Sequence, residues 1–265
     1  MNIQIFQVDS FTVKPFSGNP ASVCILEQPK NENWMQSVAA EMNISETAFL
    51  LPKGSGYNLR WFTPTTEVDL CGHATLASAH ILYEFGFYEQ DELIEFYTRS
   101  GKLISSFDKG FIELDMPRLN PVEIETPKNL VSALGSEPVK TAVYEQKTII
   151  TELQDDDQVV NFIPDFKKIA DLPYTDITIT AKSKNPKYDF VTRFFSPRSG
   201  INEDPVTGSV HCLLGPYWSM KLGKEKFLAY QASPRGGEVR VRLSNDRAFI
   251  GGKAITVMRG DLVHQ

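Results

Sequence analysis

Two short segments of the sequence combine residue types that can do chemistry. One is the Cys-Gly-His run at 71–73, and the other is the Thr-Gly-Ser run at 207–209. Thiol, imidazole and hydroxyl groups can move protons or make hydrogen bonds, and a glycine lets the backbone approach a ligand closely. Each run also opens a stretch of small and apolar residues. The two segments therefore predict acid–base chemistry or anion binding at the starts of two buried helices.

The residues around these segments repeat at a nearly constant distance. The two runs lie 136 positions apart, and one further pair keeps that separation: Arg99 and Gly101 recur as Arg235 and Gly237. Upstream, three residues recur at a separation of 133: Arg60, Phe62 and Pro64 reappear as Arg193, Phe195 and Pro197. A constant offset with one three-residue loop insertion indicates a duplicated domain. The sequence thus predicts two similar halves with one cleft between them, where ligands often bind.

The start of each predicted helix is suited to holding a negative charge. A helix start leaves backbone N–H groups without an intrahelical acceptor and carries a partial positive charge. If pseudo-twofold symmetry brings Gly72 and Gly208 together at the cleft, their backbones would hold the carboxylates of a small substrate. A glycine alone more often only tightens a turn, but its recurrence at the same place in the duplication favours the functional interpretation.

The elements that position these segments are predicted to be many short strands around one apolar helix in each half. The two buried helices are predicted over 72–85 and 208–221, and a smaller helix over 33–42 has Asn31 or Asn33 available as its N-cap. Strands and helices do not alternate regularly, so a doubly wound sheet is excluded. Neither a dinucleotide-binding fingerprint nor a P-loop is present in the sequence. The fold class expected is α+β.

The boundary between the halves is predicted at the proline-spaced segment 116–121. This gives an N-terminal domain over 1–117 and a C-terminal domain over 122–258, with the last residues free to pack back on the first domain.

Composition narrows the class of function. The 265 residues carry a net charge of −6 and a sequence pI of about 5.3, without a basic cluster, so nucleic acid and anionic membranes are not expected partners. No apolar run reaches the length of a membrane span, and the N-terminus lacks the pattern of a signal peptide. Three cysteines without a Cys-x-x-Cys motif indicate neither a disulfide framework nor a zinc knuckle. We expect a cytoplasmic protein.

Five segments, in the same order along the chain, resemble the PhzF-like isomerases of phenazine biosynthesis. They are Val-Asp-Ser-Phe-Thr at 8–12, Phe-Ser-Gly-Asn-Pro-Ala at 16–21, Ser-Glu-Thr-Ala-Phe at 45–49, Leu-Cys-Gly-His-Ala-Thr at 70–75 and Asp-Pro-Val-Thr-Gly-Ser at 204–209. The resemblance covers nearly the whole chain. It implies a diaminopimelate epimerase-like fold, in which two pseudo-symmetric domains each wrap a mixed β-sheet around a central helix. It also implies a homodimer and proton transfer without a cofactor, on a small anionic metabolite held between the domains.

The resemblance assigns roles to particular residues. Glu46, in the Ser-Glu-Thr motif, is implied to be the catalytic acid/base, His73 to protonate or hydrogen-bond the substrate, and Asp204 to orient a substrate amine or a water molecule. The remaining site residues are expected to bind substrate through side chains or backbone: Asn19, Cys71, Gly72, Thr207, Gly208 and Ser209. No metal is expected.

Several alternatives remain open. Epimerases and proline racemases of the wider fold place a cysteine before each central helix, whereas this chain has Cys71 in the first half and Thr207 in the second. A threonine hydroxyl is a poor base at neutral pH, which weakens a two-base racemase or epimerase using Cys71. A metabolite-binding protein without activity is a second alternative. A metal site of Cys71, His73 and His80 is disfavoured because residues two apart diverge. A Cys–His nucleophile pair is disfavoured because no orienting residue is evident.

Overall fold

The computed structural model describes residues 3–263. Its chain divides into two compact units: the first comprises Met1–Met116 and Ile250–Gln265, and the second Pro117–Phe249. The sequence analysis assigned residues up to 258 to the second half, and this boundary is wrong for residues 250–258. The reason is that the last strand forms an antiparallel ladder with the first strand of the chain, which draws it into the first unit.

Strands dominate both units. In chain order they are β1 (Ile3–Ser10), β2 (Asn19–Ile25), β3 (Glu46–Lys53), β4 (Gly56–Phe62), β5 (Glu67–Val68), β6 (Ile94–Thr98), β7 (Gly101–Asp108), β8 (Phe111–Pro117), β9 (Val122–Ile124), β10 (Lys140–Tyr144), β11 (Thr148–Glu152), β12 (Asp176–Lys182), β13 (Phe190–Ser196), β14 (Ile201–Asp204), β15 (Lys226–Gln231), β16 (Gly237–Ser244), β17 (Arg247–Gly252) and β18 (Ala254–Leu262).

The helices are fewer. They are α1 (Glu32–Met42), α2 (Gly72–Glu84), α3 (Lys128–Leu134), α4 (Asp156–Val160), α5 (Phe166–Ala170) and α6 (His211–Leu222), with a 3-10 turn at Pro197–Ser199. Helix α1 begins after Asn31, whose side-chain oxygen accepts a hydrogen bond from the N–H of Trp34 at 2.8 Å. This is the N-cap that the sequence allowed, and it satisfies one of the free N–H groups of the first turn.

The two units repeat one order of strand pairings, as the duplication predicts. In the first unit, β1–β2 is antiparallel, β2–β3 parallel, β3–β4 antiparallel, β4–β6 parallel and β6–β7 antiparallel. In the second unit, β10–β11 is antiparallel, β11–β12 parallel, β12–β13 antiparallel, β13–β15 parallel and β15–β16 antiparallel. Each unit is therefore a mixed sheet of the same topology, which confirms the α+β fold class.

Helix α2 fills the core of the first unit. It packs against β1, β2, β3 and β18, and nine of its thirteen residues are buried. Such a helix needs apolar or small residues on nearly every face, which is the pattern seen in the sequence after Gly72. The predicted helix over 72–85 thus agrees with the structure to within one residue at its end.

Helix α6, which packs against β16 in the second unit, begins later than predicted. The sequence analysis started it at 208, whereas residues 208–210 form a turn and the helix begins at His211. The turn is closed by bonds between residues three apart, from the N–H groups of His211 and Cys212 to the carbonyls of Gly208 and Ser209. The tighter turn explains the difference, because such turns commonly precede an α-helix and have the same local composition.

A proline inside α6 has a structural consequence. Pro216 has no N–H, so the carbonyl of Cys212 lacks its helical donor. The N–H of Leu119 donates to that carbonyl at 3.1 Å, and the neighbouring N–H of Arg118 donates to the carbonyl of Asp246 at 2.8 Å. The segment predicted as the domain boundary is thus hydrogen-bonded to the second unit and satisfies a buried acceptor.

Matching Arg–Glu pairs hold the loops before α2 and α6. Arg60 donates through Nε and Nη2 to the two carboxyl oxygens of Glu67, both at 2.6 Å. Arg193 makes the same two contacts with Glu203, at 2.7 and 2.8 Å. Two-point pairing of this kind fixes orientation as well as position. The three-residue insertion lies between Arg193 and Glu203, so both copies preserve the pair despite different loop lengths.

A buried histidine should make the second unit sensitive to acid. His211 is fully buried, its Nδ1 lies 2.8 Å from the carbonyl oxygen of Thr207, and burial lowers its pKa to about 4. In the unfolded chain the imidazole of His211 has a pKa of about 6.5. Between about pH 4 and pH 6.5 the unfolded chain therefore binds more protons than the native protein does. Native stability is therefore expected to fall as the pH drops from about 6.5 to about 4, by about 3 kcal/mol.

The measurement is urea unfolding at pH 7.5 and pH 4.5, on the wild-type protein and on His211→Asn, which retains a side-chain donor. The variant should lose less stability on acidification. Other titrating groups are shared, so they cancel in the difference between the two proteins. Parallel pH profiles would contradict the assignment.

Candidate active site

Two elements of the first unit bring together the residues expected to do chemistry. Glu46 is the first residue of β3, and His73 lies in the first turn of α2. Because α2 packs on β3, the Oε2 atom of Glu46 lies 3.0 Å from the Nε2 atom of His73. Both residues are buried, with 8% and 7% of their surface exposed. A carboxyl group and an imidazole at this distance form a pair that can exchange a proton.

Cys71 extends this pair on the other side of the imidazole. It is the residue before α2, and its Sγ atom lies 3.6 Å from Nδ1 of His73. The imidazole therefore stands between a thiol and a carboxyl group. The sequence shows no residue that would orient a Cys–His pair, whereas the structure places Glu46 beside the second ring nitrogen of His73.

Burial and charge act together on the acid–base properties of this cluster. Burial raises the pKa of the Cys71 thiol, and the negative charge of Glu46 adds to the effect. Burial alone would lower the pKa of His73, but the attraction of Cys71 and Glu46 outweighs it, and the pKa is raised well above its ordinary value. The protonated form of the imidazole is therefore favoured within this cluster.

The carboxyl and imidazole atoms that face each other retain capacity for a ligand. Within residues 3–263, neither Oε2 of Glu46 nor Nε2 of His73 has a hydrogen bond of acceptable geometry, although they are close enough for an ion pair. Buried polar atoms in native proteins normally find partners, so an exception calls for a functional explanation. Atoms of a bound substrate would supply the missing partners here.

Short hydrogen bonds hold the start of α2 in place. The hydroxyl of Ser10 donates to the carbonyl of His73 at 2.8 Å, and the hydroxyl of Thr75 donates to the carbonyl of Cys71 at 2.6 Å. The N–H groups that begin at Gly72 have no acceptor within the helix, as at any helix start. Two side-chain donors thus hold the backbone that carries Cys71 and His73.

Asn19 lies on the strand beside this backbone. It begins β2, is fully buried, and stands opposite Ser10 in the β1–β2 ladder. Gly18 before it has a φ of +66°, and a Cβ there would lie 2.1 Å from the carbonyl oxygen of Ser10. Only glycine fits this turn, which explains the Gly-Asn-Pro motif.

The second unit brings together a different set of expected site residues. The hydroxyl of Thr207 donates to the Oδ2 atom of Asp204, at the end of β14. Gln231 accepts from the N–H of Thr207 at 2.8 Å and donates to the carbonyl of Asp204, also at 2.8 Å. Gln231 was missed by the sequence analysis, because a glutamine ending a strand carries no signal of its partners. Gly208 and Ser209 follow in the turn before α6, with Ser209 exposed.

His80 does not join Cys71 and His73, so the metal trio considered from the sequence does not form. Its Nε2 atom lies 3.1 Å from Oγ1 of Thr256 and 3.2 Å from the carboxyl group of Glu84.

Among the described residues, no helix is both long and apolar enough to cross a membrane.

The chain matches the phenazine biosynthesis-like protein family, PhzC-PhzF, over residues 8–260. It is 48% identical over 264 residues to an uncharacterized isomerase of Halalkalibacterium halodurans, with 99% of each chain covered. Its structure is similar to that of a PhzF-family phenazine biosynthesis protein from Enterococcus faecalis, with a TM-score of 0.94, 38% identity and 99% of each chain covered.

A more distant structural likeness concerns the fold alone. A predicted epimerase from Pseudomonas aeruginosa has a TM-score of 0.74 at 19% identity, covering 99% of this chain and 100% of its own. The mixed sheet around a buried helix in each unit is thus the diaminopimelate epimerase-like fold, as the resemblance implied. On the family match and the relatives together, the chain belongs to the phenazine biosynthesis-like, or PhzC-PhzF, family, which includes relatives named as isomerases.

Proposed function

We propose that this protein is a cofactor-independent isomerase that transfers a proton within a small carboxylate-bearing metabolite, with Glu46 as the acid/base. The observation that carries the proposal is the buried contact of 3.0 Å between Glu46 and His73, whose facing atoms have no well-formed hydrogen bond within residues 3–263. Relatives named as isomerases support the reaction class.

The proposed reaction needs one group that removes a proton and returns it. Glu46 takes a proton from a carbon next to an electron-withdrawing group, and the C–H electron pair moves into the adjoining π-system. The same carboxyl group then gives the proton to another carbon of that system, and the double bond changes position. Atoms and charge balance without an external reagent. Positioned acid–base groups contribute about 10²- to 10⁴-fold in rate.

His73 is proposed to stabilise the charge that develops in this reaction. A positively charged imidazole next to the base can donate a hydrogen bond to an oxygen that gains negative charge as the C–H bond breaks. The buried position raises the value of this interaction, because few water molecules compete for it. Cys71 keeps the imidazole oriented through its contact with Nδ1.

Carboxylates of the substrate are proposed to be held by backbone N–H groups. The start of α2 at Gly72 offers such groups beside His73. In the second unit, Asp204, Thr207 and the turn at Gly208 and Ser209 are proposed to bind substrate, and in the first unit Asn19 is proposed to do so. We further propose that the protein is a cytoplasmic homodimer without nucleic-acid or membrane partners.

The geometry of the second unit argues against a two-base racemase. A two-base racemase needs a second base where Thr207 stands, and the hydroxyl of Thr207 instead donates to Asp204. A binding protein without activity remains an alternative, and exchange of substrate hydrogen with solvent deuterium distinguishes it. A pure binding protein would bind without exchange.

Replacement of Glu46 by glutamine should abolish exchange while leaving the fold intact. Glu46→Gln keeps size and hydrogen-bonding capacity but removes the proton acceptor. After a panel of cyclic and acyclic carboxylic acids has identified a compound that wild type exchanges, its C–H exchange in D₂O should fall by at least about 10²-fold. Nuclear magnetic resonance measures the rate, and an unchanged rate would assign the base elsewhere.

The duplication supplies a matched control for this experiment. Asp176 begins β12 as Glu46 begins β3, but its two carboxyl oxygens accept hydrogen bonds from the hydroxyls of Ser196 at 2.9 Å and Thr148 at 3.1 Å. Its carboxyl group is thus engaged in structure. Asp176→Asn should keep an exchange rate within a few-fold of wild type. A loss equal to that of Glu46→Gln would indicate damage to the fold rather than loss of the base.

Binding of small carboxylates should survive the loss of the base. Titration calorimetry with dicarboxylates and aromatic or cyclic acids should show one site in wild type and in Glu46→Gln, because backbone N–H groups hold the carboxylate. Uncharged amides of the same acids are the control and should bind more weakly. Absence of binding for every acid at millimolar concentration would contradict the proposed anion site.

A further inference from the structure

The acid–base cluster of the first unit also contains the donor atoms of a transition-metal site. Glu46, Cys71 and His73 each offer one ligand atom, and these three atoms lie within 4.8 Å of one another. All three residues are buried, with 8%, 6% and 7% of their surface exposed. The set of three was not expected from the sequence, because Glu46 is brought to the cluster only by the packing of β3 on α2.

The distances are close to those that a tetrahedral ion requires. Metal–ligand bonds of about 2.0 to 2.3 Å place neighbouring ligand atoms of a tetrahedral site roughly 3.5 Å apart. With one ligand atom taken from each residue, the three atoms of Glu46, Cys71 and His73 lie within 4.8 Å of one another. Any pair of these ligand atoms must therefore close by about 1.3 Å at most to reach the tetrahedral spacing.

The facing atoms of the carboxyl and imidazole groups can accept such an ion without breaking a well-formed interaction. Within the described chain, Oε2 of Glu46 and Nε2 of His73 have no hydrogen bond of acceptable geometry. A metal ligand must give up its proton, and a bound cation would take the place of the protons on Cys71 and His73. The site therefore supplies unsatisfied, buried side chains as well as a suitable spacing.

We propose that Glu46, Cys71 and His73 bind one zinc-like divalent cation, and that the bound ion switches the proton-transfer chemistry off. A sulfur, a nitrogen and an oxygen ligand suit Zn²⁺ or Co²⁺, whereas Mg²⁺ and Ca²⁺ prefer oxygen alone. The thiolate and the carboxylate together neutralise a divalent ion. The start of α2 opposes it with only about half a unit of positive charge.

Inhibition follows from the identity of the ligands. An ion held by Glu46 and His73 occupies the base and the charge-stabilising group of the proposed reaction. Only this second part of the proposal depends on the proposed function, because binding of the ion can be measured without a substrate.

The binding experiment uses the full chain, freshly reduced and freed of metal by a chelator. Zn²⁺ is titrated in competition with a chromogenic chelator, and Co²⁺ binding is followed by absorption of the thiolate–cobalt bond. Wild type should bind one equivalent and show the thiolate–cobalt band. Cys71→Ser should lose the band and bind Zn²⁺ at least about 10-fold more weakly, and His73→Gln and Glu46→Gln should weaken binding similarly.

Matched controls separate this site from other cysteines and histidines. Cys212→Ala removes a buried thiol of α6, and His80→Gln removes the other histidine of α2; both variants should bind Zn²⁺ as wild type does. Circular dichroism checks that each variant is folded. The proposal is overturned if wild type binds no equivalent of Zn²⁺, or if Cys71→Ser keeps the band and the affinity.

Measurements of exchange activity with and without Zn²⁺ distinguish the proposed metal site from the proposed isomerase. With an exchanging substrate in hand, one equivalent of Zn²⁺ should suppress exchange and a chelator should restore it. Unchanged or faster exchange with Zn²⁺ bound would overturn the off state. If Zn²⁺ does not bind while Glu46→Gln still loses exchange, the metal site falls and the proposed isomerase stands.

Discussion

The buried contact between Glu46 and His73 is the main constraint on the structure of the first unit. Leaving a buried polar group without a full partner costs about 1 to 3 kcal/mol, so the surrounding fold must supply that stability. It does so with an apolar helix enclosed by strands and with two hydroxyl donors that hold the start of α2. The raised pKa of His73 and the burial of Cys71 both follow from the same placement. A polar cluster of this kind persists because the rest of the core is complete.

Corresponding residues of the two duplicated units make different contacts. Each begins the corresponding strand with a carboxyl residue, Glu46 in β3 and Asp176 in β12. The second copy binds its carboxyl group to Thr148 and Ser196, whereas the first leaves an oxygen of Glu46 available. Helix α6 likewise buries a neutral histidine, His211, against an aromatic ring. The same backbone plan thus leaves a carboxyl oxygen without a well-formed hydrogen bond in the first copy and hydrogen-bonds the corresponding carboxyl group in the second.

Much of this arrangement could be predicted from the sequence. The strand-rich halves, the buried helix α2 and the N-cap Asn31 follow from periodicity and residue type, because these are local properties. The contact of Glu46 with His73 could not be derived from spacing, because it depends on the register of β2 with β3 and on helix packing. Family resemblance pointed to both residues without giving their contact. The start of α6 was misplaced because a tight turn and a helical turn have the same composition there. Gln231 escaped notice because its partners lie far away in sequence.

The pairing of β1 with β18 bears on how the chain is made. The last strand described leaves the ribosome after every other strand, yet it lies beside the first and against the central helix α2. Residues 117–249 can complete their own ladders earlier, whereas the first unit must wait with the edge of β1 that β18 covers still unpaired. Contacts between distant parts of a chain form slowly, and open edges invite association with other chains. The first unit is therefore the part of the newborn chain that most needs protection until β18 has been synthesised.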